Sequence, residues 1–263
     1  MIQNLTSEEI RAVKFYIGDC AGESHPFWGD PKAYLVLNSL FFDGIRTEQA
    51  RIAEGKFLNP EIVADRERLK HLLRNLLSAF RKSCNPDWLT VCRVERFQDF
   101  QAMQQAGRTI SFTSTSQGGF LDAYWDRAGI ALLHIEIPPR TPCIDMQEFF
   151  GDAYAKPEES EILLPPFLNL HFENISFTDS EKQILDSEQN LPVCVYLLRT
   201  GDFAIPENSE NPESPKNQEI SLNFDISEIY QKLNRQEILT SEEITNYTNW
   251  KKRLIREVLC QDC

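Results

Sequence analysis

Apolar residues recur at helical spacing through the first third of the chain, then switch to short alternating runs, then return to helical spacing near the end. Thr6-Ser7-Glu8-Glu9 has the form of a capping box, and Ile10, Val13 and Ile17 follow on one face, which predicts a first helix. Residues 34–42 give a second apolar stretch. The strongest helical pattern covers residues 63–82. There Leu69, Leu72, Leu73, Leu76, Leu77 and Phe80 share a stripe, with arginine and lysine opposite. Asn85-Pro86 is a stop signal.

From Trp88 to about residue 199, short runs rich in β-formers alternate with turn signals. Strands are expected at 88–94, 109–115, 131–137, 143–146, 160–164, 170–176 and 193–199. A short helix is expected at 98–106. Pro138-Pro139 and Pro165-Pro166 close two of the strands. Helices followed by strands favour an α+β fold over regular βαβ alternation.

Residues 205–218 are polar and rich in Pro, Asn and Glu, which reads as a linker or loop. A helical tail follows. Thr240-Ser241-Glu242-Glu243 is a second capping box, before Ile244, Tyr247, Leu254, Ile255 and Val258. LTSEEI occurs at 5–10 and again at 239–244. Nothing around the two copies matches, so they read as two good helix starts and not as a repeat. The expected organisation is a domain at 1–204, helical over 1–84 and β-rich over 85–204. The linker and a helical extension at 219–263 complete it.

Composition narrows the class of partner. The 263 residues are 41% hydrophobic and 25% charged, ordinary for a globular protein. The formal net charge of -13 gives no overall basic footprint for nucleic acid or anionic membrane. No apolar run is long enough to span a bilayer and no signal-peptide pattern opens the chain, so a soluble protein is expected. Seven cysteines without pattern favour free thiols over a disulfide framework. Cys260 and Cys263 form one C-x-x-C, and His25, His71, His134 and His171 are scattered, so no metal is expected.

Three short patterns carry candidate chemistry. Glu159 and Glu161 would share a face of a strand that includes both, since side chains two apart point the same way. Taken alone, such a pair reads as a solvated strand edge. Ser114-Thr115-Ser116 ends a run whose Ile110, Phe112 and Ser114 share a face, and hydroxyls there often serve a turn. Arg93 shares a face with Leu89 and Val91, and alone it reads as half of a structural salt bridge.

Their order changes the reading. LTVCR (89–93), FTSTS (112–116) and ESEILLP (159–165) resemble the arginine, Ser-Thr-Ser and Glu-x-Glu motifs of the R-S-E class of arginine-specific, toxin-like mono-ADP-ribosyltransferases. LLHIEIPP (132–139), PCIDM (142–146) and the helical N-terminal part are also similar to that family. The resemblance covers roughly residues 5–200.

The resemblance implies an ADP-ribosyltransferase-like β-sandwich core with helical additions at both ends. It implies NAD as co-substrate and transfer of ADP-ribose to an arginine of a target protein, with release of nicotinamide. Glu161 is then the carboxylate that holds the ribose and stabilises the cation. Arg93 pairs with a phosphate, Ser114 orients Glu161, and Thr115 and Ser116 shape the nicotinamide pocket. Glu159 holds the acceptor guanidinium, because family members that modify other side chains tend to have glutamine there. Trp125 is expected to stack on nicotinamide and Arg127 to reach the pyrophosphate. Tyr34 and Asn38 are expected to line the far end of the dinucleotide, with helix packing as the competing reading. Phe149, Phe150 and Tyr154 are candidates for touching the protein substrate. The chain departs from the family around the arginine. Many relatives have an aromatic before it and Gly after it, where this chain has Cys92 and Val94, so the Val94 amide approaches nicotinamide past a side chain. NAD glycohydrolysis, a non-arginine acceptor and a non-catalytic binding module are the alternatives. Such enzymes act in the cytoplasm or are delivered as effectors into another cell.

Overall fold

A computed structural model describes residues 4–17, 33–41, 49, 52, 66–119, 130–151, 160–176, 178–179, 193–203, 226–235 and 237–259. The chain divides into two compact units. One comprises residues 1–5 and 79–204, the other residues 6–78 and 205–263.

The described elements of the second unit are all helices. Both expected capping boxes form. In α1 (Ser7–Ile17), the Thr6 amide donates to Glu9 Oε2 at 2.7 Å and the Glu9 amide donates to Thr6 Oγ1 at 3.3 Å. In α7 (Ser241–Leu259), Thr240 and Glu243 make the same reciprocal pair at 2.8 and 3.2 Å. Between them lie α2 (Ala33–Ser39), α3 (Arg66–Lys82) and α6 (Ile226–Asn234). Leu69, Leu73, Leu76 and Phe80 are fully buried along α3, as the stripe in the sequence requires. In the tail Ile244, Tyr247, Leu254 and Val258 are buried in the same way.

The tail is tied to the N-terminal helices within this unit. Glu257 of α7 accepts from Arg66 at 2.6 Å and from Lys70 at 3.3 Å, both on α3. Those cations hold its carboxyl below the usual carboxylate range against the opposing effect of burial. The Lys251 side chain is wholly buried and donates to the carbonyl of Ser39, the last residue of α2, at 2.7 Å. The 205–218 stretch lies outside the described residues.

The other unit is built on a sheet. Its described strands are β1 (Leu89–Arg96), β2 (Thr113–Ser116), β3 (Ile130–Ile137), β4 (Ile144–Asp145), β5 (Glu161–Leu164), β6 (Leu168–Asn174) and β7 (Val193–Phe203). They form one sheet in the order β4-β5-β2-β1-β3-β7-β6. Every pairing is antiparallel except β3 with β7. Helices and a mainly antiparallel sheet thus make a mixed α+β protein.

One face of the sheet carries Val91, Leu133, Ile135, Ile162 and Leu164, and Phe100 and Met103 of α4 (Phe97–Ala106) pack on it. Asn85 closes the entry to β1 by donating to the carbonyls of Asp87 and Pro138, at 2.7 and 2.8 Å. Cys143 packs in the same core, where burial pushes its thiol up to about 12, so it stays protonated near neutrality.

Two local differences from expectation have clear causes. β2 begins at Thr113 and not at 109, because Thr109 is occupied elsewhere. Its Oγ1 donates to the carbonyl of Pro165 at 2.8 Å and its amide to that of Leu168 at 2.9 Å. The aromatic stretch after β4 forms a short helix, α5 (Met146–Phe150), started by Asp145, whose side chain accepts from the Glu148 amide at 3.0 Å.

Candidate active site

Arg93, the Ser-Thr-Ser run and Glu161 lie on β1, β2 and β5, which are consecutive strands in the sheet. Cys92 is paired with Ser116, and Ser116 with Glu161. Directly paired residues point to the same face. His134 on β3 pairs with Cys92 from the other side. Four polar side chains therefore stand in one row across four strands: His134, Cys92, Ser116 and Glu161. The row's first two members touch, with Cys92 Sγ 3.7 Å from His134 Nδ1.

The three hydroxyls of the Ser-Thr-Ser run do different things. Thr115 points to the core face and is buried. Its Oγ1 donates to the carbonyl of Ile162 at 2.7 Å, which straps β2 to β5. Ser116 is also buried, and its Oγ accepts from the Gly118 amide at 3.1 Å, holding the turn that follows. Ser116 is the residue directly across from Glu161. Ser114 shares that face but lies across from Leu163. Replacing Thr115 by valine keeps the shape and removes the strap. The expected result is a loss of about 1 kcal/mol of stability, read as a lower denaturant midpoint.

Glu161 opens β5 and is half-buried. Ser160 before it has φ 43°, in the left-handed region that a serine rarely adopts. Its carbonyl accepts from the Gln117 amide at 3.2 Å, which ties the start of β5 to the end of the Ser-Thr-Ser run. The described strand starts at Glu161. Glu159 itself lies outside the described residues.

Arg93 is held on two sides. Nε pairs with Glu95 Oε2 at 2.6 Å, and Nη1 donates to the carbonyl of Ser114 at 2.6 Å. The alternation of β1 sends its side chain off the opposite face from Cys92, beside Val91 and opposite Leu133. The salt-bridge partner was not picked out from the sequence. Its signal was the R-V-E spacing, which puts Arg93 and Glu95 on one face. Val94 is half-buried and pairs with Leu132.

The remaining candidates divide by where they fall. Trp125, Arg127 and Tyr154 lie outside the described residues, as do Cys260 and Cys263. Phe149 and Phe150 are half-buried, with their rings edge to face at 4.8 Å. Tyr34 and Asn38 belong to the helical unit. There the Asn38 amide nitrogen donates to the Tyr16 hydroxyl at 3.1 Å, and the Tyr34 ring sits 6.4 Å from that of Tyr16. Among the described residues no group of three or more His, Cys, Asp or Glu side chains is placed to hold a metal ion. None of the described helices is long and apolar enough to cross a membrane.

Comparison with known proteins gives structural likenesses only. No protein-family model matches the chain, and no curated protein matches its sequence. Among solved structures, it is similar to the ADP-ribosylating toxin BECa of a Clostridium perfringens binary enterotoxin, a structure with NADH. The TM-score is 0.46 at 16% identity, over 75% of this chain and 44% of that one. This chain thus spans less than half of that toxin's length. It is similar to Plx2a, an ADP-ribosyltransferase toxin from Paenibacillus larvae, with TM-score 0.45 and 12% identity over 75% of this chain and 88% of that one. It is also similar to C3stau2 from Staphylococcus aureus, a structure with NAD, with TM-score 0.42 and 16% identity over 75% and 88%. Likenesses at this level do not assign an activity to this chain.

Proposed function

We propose that this chain cleaves NAD and transfers ADP-ribose to an arginine side chain of a target protein. The observation that carries the reading is the placement of Arg93, the Ser-Thr-Ser run and Glu161 on three consecutive strands, with Ser116 directly across from Glu161 and Arg93 leaving the other face of β1.

The chemistry suits these groups. The bond to break joins the ribose anomeric carbon to a cationic nicotinamide ring. Its electron pair leaves with the ring, so no general acid is needed. The ribose passes through an oxocarbenium-like state. A fixed carboxylate close to that cation lowers its energy most where water is scarce. Glu161 is that carboxylate in this reading, held by β2 on one side and by the tied turn at Ser160 on the other. Arg93 supplies a planar cation for phosphate oxygens. Ser114 and Ser116 border Glu161 along β2, and the Val94 amide, Trp125 and Arg127 complete the proposed contacts with NAD. Phe149, Phe150 and Tyr154 are the proposed contacts with the target.

The acceptor guanidinium has a pKa above about 12 and must shed a proton as its nitrogen bonds to the ribose carbon. Glu159 takes that proton in this reading. A second reading, NAD hydrolysis with water as acceptor, needs Glu161 alone. It draws support from Glu161 standing directly across from Ser116 at the start of β5. Delivery into another cell and action in its own cytoplasm are both compatible with either reading.

Labelled NAD and a cell lysate separate the two. The full chain is expected to label protein on arginine, found by mass spectrometry of the modified peptides. Glu159→Gln is expected to keep hydrolysing NAD and to lose at least about 100-fold in labelling, the lower end for a missing general base. Arginine labelling by Glu159→Gln at the wild-type rate rules out this role for Glu159. Labelling confined to another residue type rules out the arginine acceptor.

A further inference from the structure

We propose that Glu95 is a positioning residue for NAD cleavage, acting through Arg93. The inference rests on the NAD reading above and adds a residue to it.

Glu95 is almost fully buried, with its side chain 10% exposed, on the face of β1 that also carries Arg93 and the apolar Val91. A carboxylate is costly to bury unless its oxygens are satisfied. Both are. Oε2 accepts from Arg93 Nε at 2.6 Å, and Oε1 accepts from the backbone amide of Arg96 at 3.1 Å. The second bond anchors the carboxylate to β1 itself, so it cannot swing away from the guanidinium.

The guanidinium is then fixed at two of its nitrogens. Nε is held by Glu95, and Nη1 reaches across to the carbonyl of Ser114 on β2. A planar group bonded through two different nitrogens has its plane set. The Ser114 carbonyl lies at the point where this matters. The register of β1 with β2 consists of the single pair Cys92 and Ser116. The guanidinium adds a second tie between those strands, two residues from Ser116, which faces Glu161. Glu95 thus sets the direction of the phosphate-binding cation and, through Arg93, steadies the strand that borders the catalytic carboxylate. A rigid support of this kind is worth most when the supported group must meet its ligand within a fraction of an ångström.

The test uses the full chain and NAD. Wild type, Glu95→Gln, Arg93→Lys and the double variant are compared by nicotinamide release. Glu95→Gln keeps the side-chain shape and loses the charge-assisted bond. KM for NAD is expected to rise about 10-fold, the scale of one such bond, while kcat stays within about 3-fold. The double variant is expected to be no worse than Arg93→Lys, because Glu95 has no route to NAD except through Arg93. Additive losses in the double variant, or an unchanged KM in Glu95→Gln, overturn the inference while the NAD reading stands. A wild type that releases no nicotinamide overturns the NAD reading first. If Glu95→Gln does not fold, Glu95→Asp replaces it, with the same KM rise expected from its shorter reach. A thermal-unfolding cycle adds a readout without substrate. Arg93→Ala leaves a buried carboxylate without its cation, so the Glu95→Gln, Arg93→Ala double variant is expected to be more stable than Arg93→Ala alone. The reverse order means that Glu95 does not depend on Arg93.

Discussion

Glu161→Gln is expected to lower the rate of NAD cleavage by about 1,000-fold, the upper range for removing one preorganised electrostatic group from a transition state. The change removes a charge and almost nothing else. The side-chain shape is conserved, and Glu161 keeps its backbone place opposite Ser116 at the start of β5. Its half-buried position means that the amide is accommodated, so the unfolding midpoint is expected to stay within experimental error. The loss belongs in kcat more than in KM, because the positive charge it opposes develops only as the nicotinamide leaves. Nicotinamide release under saturating NAD measures it. Retention of a tenth or more of wild-type kcat removes Glu161 from the role given to it. Ser116→Ala and Ser114→Ala sharpen the same test. The register makes Ser116 the nearer support of Glu161, although the family resemblance gave that task to Ser114.

Lys251→Ala is expected to cost the helical unit about 3 kcal/mol, in the range of large truncations at buried sites. The substitution leaves a void among buried neighbours and removes the hydrogen bond to the carbonyl that ends α2. The Lys251 ammonium also sits 4.8 Å from the centre of the Tyr247 ring, a contact that attracts a cation. Lys251→Met separates the parts. Methionine refills most of the space and loses the hydrogen bond to that carbonyl, so about 1–2 kcal/mol is expected. All the described elements of this unit are helices, so urea unfolding followed by circular dichroism at the helical bands reads it. Equal midpoints for wild type and Lys251→Ala rule out a structural role for this contact.

Part of this was legible in the sequence. Helix starts were, because a capping box is a local device: Thr6 with Glu9 and Thr240 with Glu243 need only each other. The α3 stripe and the strands of the sheet were, because period 3.6 and period 2 are written in consecutive residues. The order of Arg93, Ser114 and Glu161 put them on three different strands; that those strands are neighbours came only with the sheet order.

What was not legible depends on distant segments or on rare backbone states. Lys251 reads as a solvated charge on an amphipathic helix until Ser39 is brought beneath it from 212 residues away. Glu95 reads as one of many acidic residues until the pleat shows that it shares a buried face with Arg93. The left-handed Ser160 had no marker, since only glycine and asparagine advertise such a state. The late start of β2 came from Thr109, whose hydroxyl and amide are taken by Pro165 and Leu168.

The most direct measurement is nicotinamide release by the purified full chain in the presence of NAD, with and without a cell lysate. The account predicts release in both, faster with lysate because acceptor arginine is present, and lost in Glu161→Gln. No release by the wild type under either condition contradicts it.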